Sequence, residues 1–284
     1  MTLPMSFIVV APRRPMMPTD QVDYVSGRTR LFGIVGHPIE QVRSPEMVTA
    51  ELKSRGHDAV FVPLHVLPAE FETVVPQLMR VQNLGGLVFT IPFKVRACAL
   101  ADELMPQARV IGAINALARG RDGRWRAEIF DGLGCVEAFR RRAIGFAGRR
   151  VLLLGAGGAG AAIAAAVAAE RPARLTIYDV DGVRAADVAA RVADARPGGA
   201  VHAGAADAES ADILLNASPV GMLDDARLPI PVDRLPRGLV VFDAIVKPER
   251  TPLITLAEQC GCPTVYGREM MRGQIARMVD FFYA

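Results

Sequence analysis

The fold of this chain follows from Val151-Leu-Leu-Leu-Gly155-Ala156-Gly157-Gly158-Ala159-Gly160 and the alanine-rich run over 161–169. The four apolar residues predict a buried strand, the glycines a tight turn, and the alanine-rich run a closely packed helix. The spacing Gly155-x-Gly157-x-x-Gly160 is the dinucleotide-binding fingerprint. The glycines permit the turn, the approach of a pyrophosphate and close helix–strand packing, and the helix N-terminus offers N–H groups to the phosphates. The alternative is an ordinary strand–helix turn.

A carboxylate follows at the position that this fingerprint requires. Asp179 ends the next predicted strand, Arg174–Tyr178, about 20 residues past Gly160, where a carboxylate accepts hydrogen bonds from the adenosine ribose. A carboxylate there repels a 2′-phosphate, and no Arg or Lys follows before Arg184. We therefore expect NAD as cofactor, with NADP less favoured. The alternative is that Asp179 only caps the next helix.

Composition narrows the class of protein. The 284 residues suggest about two domains, and 51% hydrophobic with 22% charged residues is a globular composition. The net charge is only +3 and no basic stripe is interleaved with aromatics, so we expect no nucleic-acid partner. The sequence leaves open whether the protein is a monomer or a homodimer.

The cysteines, histidines and apolar runs indicate the compartment and whether a metal or a membrane is involved. Four scattered cysteines suggest a reducing compartment, and Cys260-Gly-Cys262 is a weak candidate for a metal or redox pair. The four histidines have no ligand spacing, so we expect no metal. No apolar run approaches about 18 residues and no signal peptide is recognisable, which favours the cytoplasm and no membrane partner. Residues 1–29 are predicted to be an irregular extension, with Met16 or Met17 as alternative starts.

The region from residue 30 alternates strands and helices. Strands are predicted over 31–36, 59–64 and 85–90, and helices over 45–55, capped by Ser44, and over 69–79. This alternation indicates an α/β fold with a mainly parallel sheet, whose ligands bind at the carboxyl ends of the strands. Ser44, Thr90 and Lys94 lie just beyond such ends.

A hairpin then leads to a second acid. Strands on either side of the turn Asp122-Gly123 end at Asp131, where the chain passes to the nucleotide-binding unit. Asp131 is either an N-cap or a functional carboxylate, and Lys94 taken alone is ambiguous, since most lysines are solvated surface charges. Beside a cofactor site they form a candidate pair, since a buried lysine takes a hydroxyl proton and a carboxylate orients it.

The later chain continues the α/β pattern. Strands are predicted over 212–216, 238–243 and 263–266, and helices over 183–195, 251–259 and 268–282. The apolar spacing of the last helix predicts that one of its faces is buried. The loop that ends at Met222 leaves the carboxyl end of a strand on the cofactor side.

Several motifs in order resemble the shikimate/quinate dehydrogenase family over residues 30–284. They are Gly36-x-Pro38 with Ser44-Pro45, Thr90-Ile-Pro92-Phe-Lys94, Gly112-Ala-Ile-Asn115, Asp131-Gly132-x-Gly134, the glycine fingerprint, Asn216-Ala-Ser-Pro-x-Gly221-Met222 and Gly267-x-x-Met270-x-x-x-Gln274. The resemblance implies a catalytic domain over 30–130 and 266–284, a Rossmann domain over 131–265, and a last helix that packs back on the first domain. It also implies oxidation of a ring hydroxyl on a small hydroxy-carboxylate, with hydride passing to the nicotinamide.

The resemblance assigns roles by position. Lys94 is expected to be the general acid/base and Asp131 its partner, with Thr90, Asn115 and Gln274 binding or orienting the ring hydroxyls. Ser44 is expected to contact the substrate carboxylate and Gly267 to lie near the nicotinamide.

Three positions depart from the family pattern. Val42 and Val246 replace a hydroxyl residue and a tyrosine that hold the substrate carboxylate in relatives, and Ile275 replaces a small residue. Loss of two donors costs roughly 1–3 kcal/mol each if the carboxylate stays unpaired. The alternatives are therefore a dehydrogenase of a non-shikimate or amino-shikimate substrate, or a non-catalytic nucleotide-sensing relative.

Overall fold

The computed structural model describes residues 25–196 and 198–284. The predicted extension, with its alternative starts Met16 and Met17, lies outside these residues except for 25–29. There Thr29 is buried and donates a hydrogen bond to Asp58 Oδ1 at 2.7 Å. Among the described residues, no helix combines the length and apolar character needed to cross a membrane.

The first half forms a mixed six-stranded sheet. Its strands are β1 (Arg30–Gly36), β2 (Ala59–His65), β3 (Leu84–Phe89), β4 (Glu103–Leu104), β5 (Ala116–Arg119) and β6 (Trp125–Glu128), in the order β2-β1-β3-β5-β6-β4. β1 runs parallel to β2 and β3, whereas β5 is antiparallel to β3 and β6. The helices of this half are α1 (Ser44–Ser54), α2 (Phe71–Leu78) and α3 (Pro106–Ile111). The predicted hairpin at Asp122-Gly123 is confirmed.

The second half forms a wholly parallel sheet. Its strands are β7 (Arg150–Leu154), β8 (Arg174–Tyr178), β9 (Val201–Ala203), β10 (Ile213–Asn216), β11 (Val240–Asp243) and β12 (Thr264–Tyr266). The order β12-β11-β10-β7-β8-β9 is that of the dinucleotide-binding fold. Helices α5 (Gly158–Ala169), α6 (Gly182–Ala195) and α7 (Pro252–Gln259) accompany it. The α/β fold class and the predicted Rossmann unit are confirmed.

Two helices connect the halves. α4 (Asp131–Arg141) packs against α5 on one side and against α8 (Gly267–Tyr283) on the other. Glycines allow both contacts, since a Cβ at Gly132 would lie 2.0 Å from Ala162 O and one at Gly134 would lie 2.4 Å from Met270 O. α8 also packs against α1, so the predicted return of the last helix to the first half is confirmed.

Some local predictions need correction. Ser44 is the first residue of α1 and not its cap, because Arg43 occupies the N-cap position and no side chain caps the helix. The helix predicted over 69–79 begins as a 3₁₀ turn, Pro68–Glu70, before α2. Three short elements, α3, β4 and β9, were not predicted, because two to six residues are too few for a recognisable period.

Candidate functional site

A cleft of about 570 Å³ lies where carboxyl ends of strands from both sheets meet. Its lining includes the residues that follow five of these ends: Thr90 after β3, Gly155 after β7, Asp179 after β8, Ala217 after β10 and Ala244 after β11. The cleft includes the point where the strand order of the second sheet reverses, which is where such folds bind ligands. Residues predicted at separate strand ends therefore share one continuous space.

An ion pair between Lys94 and Asp131 lies in this cleft. Lys94 Nζ donates to Asp131 Oδ2, and the two side chains are only 16% and 5% exposed. Asp131 is the first residue of α4 and not its cap, since the N-cap position belongs to Phe130. Its carboxylate therefore sits at the positive end of the α4 dipole. A largely buried lysine amine held by a carboxylate in a cleft is suited to proton transfer.

Asn115 joins this pair to the last helix. Its Nδ2 donates to Asp131 Oδ1 at 3.1 Å and to Gln274 Oε1 at 3.0 Å, and its Oδ1 accepts from Phe130 N at 2.9 Å. Asn115 is 3% exposed, so both amide hydrogens and the carbonyl are used inside the protein. This arrangement orients Asp131, and within the described residues the NH₂ group of Gln274, which lines the cleft, has no hydrogen-bond acceptor.

The remaining predicted substrate residues also line the cleft. Ser44 and Thr90 do so, and within the described chain neither hydroxyl has a hydrogen-bond partner. The replacements Val42 and Val246 line the same space. One polar atom nearby was not anticipated, namely Gln41 Oε1, which is buried without a partner. The cleft thus has a polar cluster around Lys94 and an apolar wall beside Val42.

The glycine loop has the shape that a dinucleotide pyrophosphate needs. A Cβ added at Gly157 would have no atom within 4 Å, whereas one at Gly160 would lie 1.9 Å from Gly155 O. α5 begins directly after Gly157 without a side-chain cap, so its first N–H groups are available to an anion. Gly158 lies against Lys94, since a Cβ added at Gly158 would lie 3.3 Å from the Lys94 Cβ. The phosphate cradle and the lysine are therefore neighbours.

Asp179 is held by backbone groups at the end of β8. Its Oδ2 accepts from Ala156 N at 2.7 Å and its Oδ1 from Asp181 N at 2.9 Å. The alternative that Asp179 caps α6 is wrong, because Asp181 is the N-cap. Arg184 lines the cleft with its guanidinium 3.7 Å from Asp179 Oδ1. The sequence analysis assigned Arg184 no role, because it comes five residues after Asp179. The first turn of α6 nevertheless places its side chain beside Asp179.

The predicted cofactor residues divide into two groups. Gly155, Gly157, Gly158, Ala159 and Asp179 line the cleft, whereas Ala156, Gly160 and Gly267 lie behind its wall. Gly267 begins α8 and packs against the segment after β11, since a Cβ at this position would lie 2.4 Å from Ile245 O. Its place in the fold is thus a close packing contact next to the cleft.

Metal-binding groupings are absent from the described ranges, where no three His, Cys, Asp or Glu side chains cluster. Cys260 and Cys262 are free thiols that take part in local packing. Cys260 Sγ accepts from Leu235 N at 3.4 Å and Cys262 Sγ donates to Pro236 O at 3.4 Å. Burial raises the pKa of the Cys262 thiol, which disfavours the thiolate that metal binding requires.

Comparison with known proteins identifies relatives along most of the chain. Residues 34–117 match the family model of the shikimate dehydrogenase substrate binding domain. A shikimate dehydrogenase (NADP(+)) of Rubrobacter xylanophilus is 37% identical over 256 residues, covering 88% of this chain and 89% of the relative.

Two crystal structures illustrate the range of similar folds. Shikimate 5-dehydrogenase from Listeria monocytogenes, in complex with shikimate and NAD, is 28% identical with a TM-score of 0.78 and covers 91% of this chain and 93% of its own. The 5-ketofructose reductase of Gluconobacter sp. strain CHM43, in its ligand-free form, is 28% identical with a TM-score of 0.77, covering 90% and 94%.

Proposed function

Because this chain belongs to the shikimate/quinate dehydrogenase family, we propose that it interconverts a ring secondary alcohol of shikimate or quinate and the corresponding ketone, with NAD preferred over NADP. The observation that carries the proposal is the largely buried Lys94–Asp131 pair beside the glycine loop. The bound nicotinamide supplies the hydride acceptor, and every other step is assigned to residues of this chain. We also propose the domain division at residues 130/131 and 265/266.

Lys94 and Asp131 are the proposed proton-transfer residues. In the oxidation, neutral Lys94 Nζ accepts the hydroxyl proton of the substrate, and in the reduction the ammonium returns it. Asp131 stabilises the ammonium form through its Oδ2 and fixes the direction of the Nζ hydrogens. Asn115 keeps Asp131 in place by donating to its other oxygen. Since both charged groups are nearly buried, their interaction is stronger than it would be in bulk water.

The substrate is proposed to lie against polar groups of the first half of the chain and of α8 that line the cleft. The proposal assigns the ring hydroxyls to the NH₂ group of Gln274 and the hydroxyl of Thr90, and the carboxylate to Ser44, and it is supported by the fact that all three line the cleft. With Val42 and Val246 on the same wall, Ser44 has fewer partners for an anion than the family pattern provides. We therefore expect a higher KM for shikimate than in family members that keep polar residues at both of these positions.

NAD preference is proposed from Asp179. Its carboxylate is 7% exposed, directly follows β8, accepts two backbone N–H groups and lines the cleft. A 2′-phosphate beside it would be repelled. The Rubrobacter relative is named for NADP(+), and Arg184 favours NADP as the second candidate, because its guanidinium lies 3.7 Å from Asp179 Oδ1 and carries the charge that would attract a 2′-phosphate.

Cofactor choice is tested by measuring kcat/KM for NAD and NADP with shikimate. In the wild type we expect NAD to give the higher value. Asp179→Asn should lower the NAD:NADP ratio about tenfold or more, whereas Arg184→Ala should raise it. Arg191→Ala, in the same helix but directed at Ile111 O, is the matched control. A wild-type preference for NADP that Arg184→Ala abolishes would establish the second candidate instead.

A second candidate substrate class is an uncharged polyol or hydroxyketone. Val42 and Val246 favour it, and the 5-ketofructose reductase has a similar fold. The test compares turnover of shikimate, quinate, an amino-shikimate and neutral polyols. Turnover is monitored by the absorbance of the reduced nicotinamide. Efficient turnover of neutral polyols only would replace the shikimate proposal. No turnover of any compound, together with measurable nucleotide binding, would favour a nucleotide sensor.

A further inference from the structure

A buried carboxylate behind the cleft takes no part in the chemistry proposed above. Asp243 is the last residue of β11, lies opposite Asn216 of β10 in the parallel register, and is 1% exposed. Within the described part of the chain no cation contacts it, which is unusual for a buried acid. Its contacts are instead three neutral donors. Such an arrangement needs a physical explanation, because an ionised carboxylate is costly to bury.

The three donors belong to three different segments. Asn216 Nδ2 donates to Asp243 Oδ1 at 3.2 Å, Ile245 N donates to the same oxygen at 3.0 Å, and Thr251 Oγ1 donates to Oδ2 at 2.7 Å. Thr251 Oγ1 also accepts from Ile254 N at 3.2 Å, so its single hydrogen is directed at Asp243. All three contacts suit an acceptor, which is the ionised form of the carboxyl.

Asp243 thereby connects two loops that line the cleft. The first cleft loop, 217–222, follows Asn216, whose Oδ1 accepts from Ser218 N at 3.0 Å and Ser218 Oγ at 2.7 Å. The second cleft loop, 244–247, follows Asp243 itself and includes Ile245. Asn216 therefore contacts the first loop through Oδ1, and its Nδ2 joins Asp243 Oδ1 to Val220 O of the same loop, the latter at 3.4 Å.

Both cleft loops also pack against parts of the site. The first contacts the glycine loop, since a Cβ on Gly155 would lie 2.7 Å from Ser218 N. The second contacts the start of α8, where a Cβ on Gly267 would lie 2.4 Å from Ile245 O, and α8 carries Gln274. A change in the bonding of Asp243 would thus reach the cofactor cradle from one side and the substrate side chain from the other.

We propose that ionised Asp243 is a positioning residue that holds both cleft loops in the conformation that receives the nicotinamide cofactor. Loss of the charge weakens the three donor contacts at once, and the two loops lose their common anchor. The cofactor then binds less tightly, although no residue touching it has changed. The effect is expected on cofactor affinity more than on the chemical step, because Lys94 and Asp131 are held by separate contacts.

Burial makes this anchor sensitive to pH near neutrality. Burial raises the pKa of Asp243 to about 6, against the lowering effect of its three donors. Titratable groups on the surrounding elements have partners of their own, namely Tyr266 with Glu258, Glu258 with Arg250, Asp225 with Arg227 and Glu269 with Arg142. Lys247 of the second cleft loop is exposed. In the described chain, Asp243 is thus the carboxyl that links both loops.

The test is calorimetric titration of the wild type with NAD, or with NADP if that cofactor binds more tightly, between pH 5 and 8. We expect affinity to fall about threefold to tenfold as the pH drops through 6, the loss of one or two hydrogen bonds. Asp243→Asn should bind the cofactor about threefold to tenfold more weakly than the wild type already at pH 8. Its affinity should show no inflection near pH 6. Asp212→Asn is the matched control, because Asp212 directly precedes β10 at the amino end of the same sheet, away from the cleft, and its ion pair with Arg150 lowers its pKa to about 2.

Substitutions of Thr251 separate positioning from general destabilisation. Thr251→Val removes the donor to the ionised form and should move the inflection to higher pH, whereas Thr251→Ser keeps the hydroxyl and should leave it unchanged. Circular dichroism at each pH verifies that the variants are folded. Wild-type affinity in Asp243→Asn at pH 8, or an inflection in that variant equal to that of Asp212→Asn, would overturn the proposal.

Discussion

Replacement of Lys94 by methionine separates the catalytic role of the ammonium from its structural one. Lys94→Met keeps the length of the side chain and removes the charge that neutralises Asp131, which is only 5% exposed. Breaking a buried pair by removing one partner costs about 3–5 kcal/mol. Because Lys94 is 16% exposed and Asp131 keeps its hydrogen bond from Asn115, we expect the lower end, about 3 kcal/mol. At this chain length that lowers the Tm by about 6–12 °C.

A double variant should recover stability without recovering turnover. Lys94→Met should lower kcat by about 10²-fold or more, since general acid/base catalysis is worth that much. The double variant Lys94→Met/Asp131→Asn has no unpaired buried charge, so most of the lost stability should return while kcat stays low. The assay is shikimate-dependent nicotinamide reduction beside thermal unfolding, with Lys53→Met on the exposed surface of α1 as control. Turnover of Lys94→Met within about tenfold of the wild type would refute the assignment.

Two further predictions concern the glycine loop and the pH dependence of stability. Gly157→Ala should keep the wild-type Tm but weaken cofactor binding in calorimetry, because its Cβ enters open space, whereas Gly160→Ala should also lower the Tm, since its Cβ would lie 1.9 Å from Gly155 O. Equal Tm losses in both would contradict this reading. The raised pKa of Asp243, about 6, means that its contribution favours the fold most below pH 4 and is lost as the pH rises through 6. Urea unfolding should therefore show Asp243→Asn gaining about 2 kcal/mol relative to the wild type between pH 4 and pH 8, and an unchanged difference would contradict the shift.

Much of the second half was predictable because its signals are local. The strand, turn and helix around Gly155 occupy consecutive residues, and each glycine has a steric reason that holds in any chain with this fold. Lys94 and Asp131 were found for a similar reason, since each lies a few residues beyond the end of a strand, β3 and β6 respectively. Parallel strands bring such ends to one edge of a sheet, so position in the chain already implied proximity.

Tertiary structure decided what those residues contact. Asn115 and Gln274 are 159 positions apart, and only the packing of α8 against α4 joins their amides. Arg184 is separated from Asp179 in the chain, yet the start of α6 places the two side chains together. Asp243 carried no signal, because neither its burial nor its lack of a cation is visible in one strand.

The chain by itself thus determined the fold class, the nicotinamide type of cofactor and the candidate proton-transfer pair, all of which depend on short-range patterns. The division between NAD and NADP, the apolar wall at Val42 and the anchor at Asp243 depend on which distant side chains share a low-dielectric space. The energy of a charge varies severalfold with its burial and its neighbours, and these are set only when helices and sheets pack. The physics that selects a cofactor or holds a loop is therefore a property of the assembled fold.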